Sequence, residues 1–176
     1  MQAKQATEHI WWVGALDPDL RVFDIIMHSD YGTTYNSYLL RGSQKTALFE
    51  TVKEKFFDQH LEEIRQVMDP ADIDYIVVNH TEPDHSGSVA KMLEIAPNAT
   101  VLGSQTAIAF LKEIVNKPFR HQAVTEKDVI DLGGLSLHFL SVPMLHWPDS
   151  MYTWVPEEKA LFTCDSFGCH YADERV

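Results

Sequence analysis

A six-residue segment at positions 80–85, His-Thr-Glu-Pro-Asp-His, carries a dense set of side chains that can bind metal ions. Two imidazoles and two carboxylates this close together would be costly to bury unpaired, and a cation would satisfy all four. His80, Glu82 and Asp84 alternate along the chain, so in an extended segment they project to similar sides. Pro83 favours that extended backbone at the residue before it. The segment therefore predicts a metal site.

The same segment could serve two metal ions. Asp84 is placed to cap a following helix, which would put His85 in the first helical turn. His80 and Glu82 would then bind one ion, and Asp84 and His85 the other. The alternative is a polar loop with one capping aspartate, but a cap explains only one of the four side chains.

The surrounding sequence places the segment at the edge of a sheet. Residues 73–78 are an apolar run typical of a buried strand, and residues 89–96 are typical of a helix. In open α/β sheets, ligands bind in the loops that follow the carboxyl ends of strands. The remaining pattern predicts strands at 10–16, 33–40, 45–52, 100–103, 123–124, 135–142, 151–155 and 160–164, helices at 53–68 and 104–116, and irregular segments at 17–31 and 127–134. This order predicts an α/β (α+β) domain in which two mixed sheets pack face to face with helices outside.

Two later loops add polar side chains directly after predicted strands. His146 follows the strand at 135–142, and Asp165 follows the strand at 160–164. If the strands lie in register, these loops open on the same edge as the 80–85 segment. Asp165 could then bridge two cations, because a carboxylate has two oxygens. His170, five residues further on, could face the site without binding metal.

Composition limits the class of protein. The chain has 176 residues, 45% of them hydrophobic, which is enough for one domain with a core. Its net charge of −12 and the lack of a basic stretch argue against a nucleic-acid surface. No apolar run is long enough to span a membrane, and residues 1–9 lack the apolar core of a signal peptide. The two cysteines, Cys164 and Cys169, exclude a disulfide framework, so we expect a cytoplasmic protein.

Together these motifs resemble the flavodiiron proteins. The matching segments are the 80–85 motif, residues 144–151, residues 165–168 and, in the N-terminal hairpin, residues 32–39. The resemblance implies a metallo-β-lactamase-like diiron domain over residues 1–176, with a four-layer αββα sandwich. It also implies that the final strands and helices of this sandwich, and a second, flavodoxin-like domain that binds FMN, are missing from this chain.

The resemblance further implies a diiron centre of six side chains: His80, Glu82 and His146 on one iron, Asp84 and His85 on the other, and Asp165 between them. Glu82 is the discriminating residue, because zinc hydrolases of this fold usually have a histidine there and a carboxylate favours iron. The family supplies another histidine to the second iron beyond residue 176. We expect Trp147 at the surface beside the pocket and Asp24 where many members have a histidine.

In function, the resemblance implies an enzyme that reduces O2 to water, NO to N2O, or both, with electrons from FMN. A rubredoxin-type or flavin donor and a head-to-tail homodimer are also implied, and Trp147 could line the dimer junction. Two alternatives are a binuclear zinc hydrolase with a bridging hydroxide and an inactive fragment without a complete second metal site. The strands at 151–155 and 160–164 are expected to leave an unpaired edge or an uncovered apolar face.

Overall fold

A computed structural model describes residues 2–173 and shows two main β-sheets packed against each other. The strands, in chain order, are β1 Lys4–Gln5, β2 Ile10–Trp12, β3 Ala15–Asp17, β4 Val22–Phe23, β5 Met27–His28, β6 Thr33–Tyr35, β7 Tyr38–Arg41, β8 Thr46–Phe49, β9 Tyr75–Val78, β10 Thr100–Gly103, β11 His121–Ala123, β12 Val129–Asp131, β13 Ser136–Ser141, β14 Met151–Val155 and β15 Ala160–Phe162. The helices are α1 Phe57–Val67, α2 Pro83–Ser86, α3 Val89–Ile95 and α4 Gln105–Val115, with short 3-10 turns at Glu54–Phe56 and Pro70–Asp72.

The larger sheet has seven strands in the order β1-β2-β7-β8-β9-β10-β11. Strands β8 to β11 run parallel, and the helices lie in the connections between them. The smaller sheet contains β12 to β15 as consecutive antiparallel neighbours. Two short ribbons, β3 with β6 and β4 with β5, complete the strand pairing among the described residues.

The apolar pattern of β8 explains how the layers form. Leu48 faces a core shared with the helices, whereas Ala47 and Phe49 face a core between the two sheets. All four residues of the strand are buried, as expected for a strand covered on both faces. The predicted hairpin is confirmed, because β7 pairs antiparallel with β8 and Leu39 lies opposite Leu48.

The helices follow their sequence signals closely. Phe57, Leu61 and Ile64 of α1 turn one apolar stripe towards the larger sheet. Ser104 caps α4 as predicted, since its hydroxyl accepts a hydrogen bond from the backbone N–H of Ala107 at 3.0 Å.

Four predicted segments differ in the structure. The strand expected at 10–16 is divided into β2 and β3, and the strand expected at 33–40 into β6 and β7. In each case the two parts pair with different neighbours. A side chain at Gly14 would lie 2.1 Å from the carbonyl oxygen of Tyr35, so only glycine permits this close approach. The segments expected to be irregular at 17–31 and 127–134 contain the β4–β5 ribbon and β12, whose strands are too short to produce a clear alternation.

Within the described residues, the layers are helices, larger sheet and smaller sheet, which confirms the mixed α/β class with three layers of the expected sandwich. The outer face of the smaller sheet carries a row of neighbouring side chains: Val129, His138, Trp154 and Leu161. Val129 and Leu161 are 52% and 42% exposed, so apolar side chains on this face are open to solvent. No helix among residues 2–173 has the length and apolar character needed to cross a lipid bilayer.

Candidate metal centre

Three loops from the two sheets converge on one edge of the fold. His80 follows β9 of the larger sheet, whereas His146 and Asp165 lie on loops beside β14 and β15 of the smaller sheet. Asn79 fixes the two sheets relative to each other at this point. Its carbonyl oxygen accepts from the backbone N–H of Met151 at 3.0 Å, and other polar contacts reinforce the junction. The prediction that these loops share one edge is therefore confirmed.

The first position, as we call it, is a group of four potential ligands whose donor atoms all lie within 4.8 Å of one another: His80, Glu82, His146 and Asp165. The Nε2 atom of His80 lies 3.2 Å from a carboxylate oxygen of Glu82. The Nε2 atom of His146 lies 2.9 Å from Oδ2 of Asp165. Two imidazole nitrogens and two carboxylates at these separations suit a single first-row divalent metal ion.

The second position is formed by Asp84, His85 and Asp165, again with donor atoms within 4.8 Å of one another. The Nε2 atom of His85 lies 2.7 Å from Oδ1 of Asp165 and 3.6 Å from a carboxylate oxygen of Asp84. Asp165 therefore directs one oxygen to each position. This division is the geometry of a bridging carboxylate.

The backbone of the motif differs from the prediction at Asp84. The N-terminal boundary of α2 is Glu82, Pro83 is the first helical residue, and Asp84 makes no capping hydrogen bond. Proline suits this first position because its ring fixes φ and the missing N–H has no partner in the helix. The capping prediction for Asp84 was wrong, whereas His85 does lie in the helical turn. One oxygen of Asp84 is buried without a hydrogen-bond partner, which leaves it free for a cation.

The carboxylates of the cluster need positive charge close to them. Burial lowers the pKa of His80, but its hydrogen bonds to Asp149 and Glu82 outweigh this effect and raise it to about 10. Burial likewise lowers the pKa of His85, whereas Asp165 and neighbouring carboxylates raise it to about 9. Protonated imidazoles thus balance the carboxylates, and a metal ion could take the place of these protons. The donor set therefore fits a cationic cofactor.

Two buried acids next to the cluster were not singled out from the sequence. Asp149 accepts hydrogen bonds from the backbone N–H and the hydroxyl of Thr81 at 2.7 and 2.8 Å. Glu50 follows β8 and accepts from the backbone N–H of Asn79 at 2.8 Å, and burial raises its pKa to about 7. Its second oxygen lies 3.8 Å from Nδ1 of His85. The available signal was their position, since Glu50 directly follows an apolar strand and Asp149 lies on the His146 loop.

Both positions border a cavity of about 750 Å3. Asp24 lines it and forms a hydrogen bond with Glu82, which is the main cause that raises the pKa of Asp24 to about 6. His170 also lines the cavity, but its Nδ1 pairs with the hydroxyl of Thr33 at 3.0 Å and it belongs to neither position. Trp147 is 37% exposed and packs edge-on against His80, so it lies at the surface beside the site, as predicted.

The sheet architecture and the two adjoining positions define a metallo-β-lactamase-like domain with a binuclear metal centre as its candidate site. The family described as "ODP family beta lactamase" matches residues 33–176, and the chain belongs to this family. Its domain is of the flavodiiron type, as the relatives below indicate.

The chain is 48% identical to the flavo-diiron protein FprA2 of Clostridium acetobutylicum over all of its own length and 44% of that protein. It superposes on the flavodiiron protein from Giardia intestinalis with a TM-score of 0.94 and 34% identity. The match covers 99% of this chain and 42% of that protein. The rubredoxin oxygen:oxidoreductase from Desulfovibrio gigas also gives a TM-score of 0.94, at 35% identity over 98% of this chain and 43% of that chain. The chain therefore spans less than half the length of these relatives.

Proposed function

We propose that this chain is the diiron module of an oxidoreductase that reduces O2 to water, NO to N2O, or both. The observation that carries the proposal is the division of the Asp165 oxygens, with Oδ2 near His146 and Oδ1 near His85. A carboxylate whose two oxygens face two separate groups of ligands is suited to bridge two metal ions. The names of the relatives support iron as the metal, since two of them are described as flavodiiron proteins.

Iron also fits the ligands. His80, Glu82, His146 and Asp165 would hold one iron at the first position, and Asp84, His85 and Asp165 would hold the other at the second. When bound, the pair of irons would supply the redox chemistry for the reduction of O2 or NO. Glu82 argues against a binuclear zinc hydrolase, because a carboxylate there makes the ligand set richer in hard oxygen.

The residues of the chain would control access and charge. The apolar rings of Phe23 and Phe49 line the cavity beside the two positions and would disfavour water there. The buried carboxylates of Glu82 and Asp84 would offset the charge of the metal ions. The second position offers three protein side chains and the first offers four, so we propose that the second binds metal more weakly.

Electrons would come from FMN carried outside residues 1–176, reduced in turn by a rubredoxin-type or flavin donor. An apolar rim around the site supports the docking of a second subunit in a head-to-tail homodimer. We define this rim by five exposed side chains: Ile25, Ile26, Met144, Leu145 and Phe167. Ile25 and Phe167 are 93% and 92% exposed, which is unusual for large apolar residues unless they meet a partner. Two free cysteines agree with a cytoplasmic location.

Anaerobic reconstitution tests this proposal. The metal-free chain is loaded with Fe2+, desalted and analysed for iron content and for magnetic coupling by Mössbauer spectroscopy. We expect a coupled diiron centre, and consumption of O2 or NO when a chemical reductant replaces FMN. A chain that retains only zinc, or one uncoupled iron, would refute the proposal. Coupled irons without turnover would instead favour the inactive fragment.

A further inference from the structure

We propose that Asp149 is a positioning residue of the metal centre, which orients the ring of His80 and joins the His80 loop to the loop that carries His146. The inference rests on the proposed function for the presence of a metal ion, but not on the identity of that metal. It assigns Asp149 no contact with metal or substrate.

The contacts of Asp149 show how it would act. Its carboxylate is fully buried, and Oδ2 is held by the backbone N–H and the hydroxyl of Thr81. The same oxygen lies 3.3 Å from Nδ1 of His80. When Nδ1 carries the proton and donates it to Asp149, Nε2 is the nitrogen left for a metal ion. Nε2 is the atom that faces Glu82 at the first position.

The backbone of Asp149 is itself held in place by a hydrogen bond. Its carbonyl oxygen accepts a hydrogen bond from the hydroxyl of Ser104 at 2.8 Å, and this hydroxyl also caps α4. Trp147, on the same loop, packs its ring edge-on against His80 with the centroids 5.1 Å apart. The loop therefore contacts His80 through both a polar and an aromatic side chain, and a displacement of Asp149 would move the ring.

The second oxygen of Asp149 argues against a purely structural role. Oδ1 is buried and has no hydrogen-bond partner. A buried oxygen without a partner is costly, so a carboxylate is a poor choice here for packing alone. Its negative charge is useful where an adjacent imidazole donates a proton while its other nitrogen binds a cation.

Asp149→Asn is the direct test, because it keeps the shape and removes the charge. Asp72→Asn is the matched control, since Asp72 is an exposed acid in a turn remote from the ligands. Zn2+ and Co2+ affinities of the metal-free proteins are measured by competition with a chromophoric chelator. We expect the tighter site of Asp149→Asn to weaken about 10- to 100-fold, and the control to match the wild type.

A second readout separates positioning from folding. In the Zn2+-loaded wild type, nitrogen-edited NMR should show a slowly exchanging Nδ1–H of His80, and this proton should exchange faster in Asp149→Asn. Urea unfolding of the metal-free proteins reports stability separately. A folded Asp149→Asn protein with unchanged affinity and an unchanged Nδ1–H signal would overturn the inference. So would equal weakening at both positions that simply follows a loss of stability.

Thr81→Val covers the case in which Asp149→Asn does not fold. It removes one of the donors that hold Oδ2 but leaves the contact between Asp149 and His80. We expect a smaller loss of affinity at the tighter site and faster exchange of the same proton. An unchanged affinity and exchange rate in Thr81→Val would overturn the inference. A wild-type chain that binds neither ion would instead refute the proposed function, and the inference with it.

Discussion

Trp147 meets the ring of His80 edge-on, with the ring centroids 5.1 Å apart and the planes at 83°. The indole therefore lies next to one proposed ligand and follows another, His146, directly in the chain. Because Trp147 remains 37% exposed, it joins the metal centre to the surface. It is the aromatic side chain most directly placed to report events at the first position.

Trp147→Phe should remove most of the change in tryptophan fluorescence that accompanies Co2+ binding. A paramagnetic ion quenches a nearby indole efficiently, and the ring of Trp147 contacts the ring of His80. Titration of Co2+ into the metal-free wild type and variant checks this prediction. Trp154→Phe is the control, since Trp154 lies on the outer face of the smaller sheet. Equal quenching in wild type and Trp147→Phe would contradict the prediction.

Asp165→Ala should lower the metal content of the chain from two ions to one at most. Both positions lose a ligand, and the second keeps only Asp84 and His85. Metal analysis after dialysis against a weak chelator measures the effect. Asp128→Ala removes a half-exposed acid that is paired with Thr125 and belongs to neither position, and it should keep the wild-type metal content. If Asp165→Ala retained both ions at full occupancy, the bridge assignment would be wrong.

Metal titration of the wild type should show two unequal affinities. The first position has four protein ligands and the second has three, so the second should fill only at higher metal concentration. Isothermal titration calorimetry with Zn2+ resolves the two events. His85→Ala should abolish the weaker event and leave the tighter one. Two equally tight events in the wild type would refute the ranking.

His60 should make the stability of the fold depend on pH. It is fully buried on α1, its Nδ1 donates to the carbonyl oxygen of Val13 at 2.6 Å, and burial lowers its pKa to about 4. In the unfolded chain, the pKa of histidine returns to about 6.5. The unfolded state then binds the extra proton, so His60 destabilises the fold as the pH falls from about 6.5 towards 4.

The loss due to His60 should reach about 3 kcal/mol near pH 4, since each unit of pKa shift corresponds to about 1.4 kcal/mol. The ligand carboxylates and histidines also titrate in this range, so the comparison needs a variant. His60→Asn keeps an N–H donor near Val13 and removes the titration. Urea unfolding of both metal-free proteins at pH 7.5 and 5 should show a smaller difference for His60→Asn. Equal differences would contradict the prediction.

Leu161→Lys should reduce self-association of the chain. Leu161 is 42% exposed and lies in a row with Trp154. Its strand, β15, forms one edge of the smaller sheet within residues 2–173. A charged side chain in an apolar row disfavours pairing with another copy. Analytical ultracentrifugation should show a mass closer to the monomer for the variant than for the wild type. A wild-type chain that is already monomeric and monodisperse would contradict the prediction, because this face would then need no partner.

The parts of the fold that the sequence predicted are those with strong local signals. The hairpin of β7 and β8, the apolar stripe of α1 and the serine cap of α4 are all encoded by neighbouring residues. The split of the first predicted strand at Gly14 was missed, because it accompanies a close approach to the carbonyl oxygen of Tyr35, which is distant in the sequence. The pattern of neighbouring residues carries no information about such a contact.

The candidate site divides in the same way. The 80–85 motif is dense enough to reveal potential ligands by type, and the loops with His146 and Asp165 could be placed by the strands before them. The part played by Asp149 could not be predicted, because it depends on three donors that meet one oxygen only in the folded chain. Asp84 was misplaced as a cap because the helix begins at Pro83, two residues earlier than a cap at Asp84 requires.

The junction at Asn79 has a consequence for how the protein tolerates metal loss. His80, Glu82, Asp84 and His85 belong to the larger sheet, whereas His146 and Asp165 belong to the smaller one. An ion held by both groups acts as a cross-link between two halves of the molecule, and its binding energy adds to the energy of folding. Loss of the bound ions would then weaken the fold as well as empty the site. It would leave a chain whose two halves separate more easily, and which proteases would degrade sooner than the metal-loaded form.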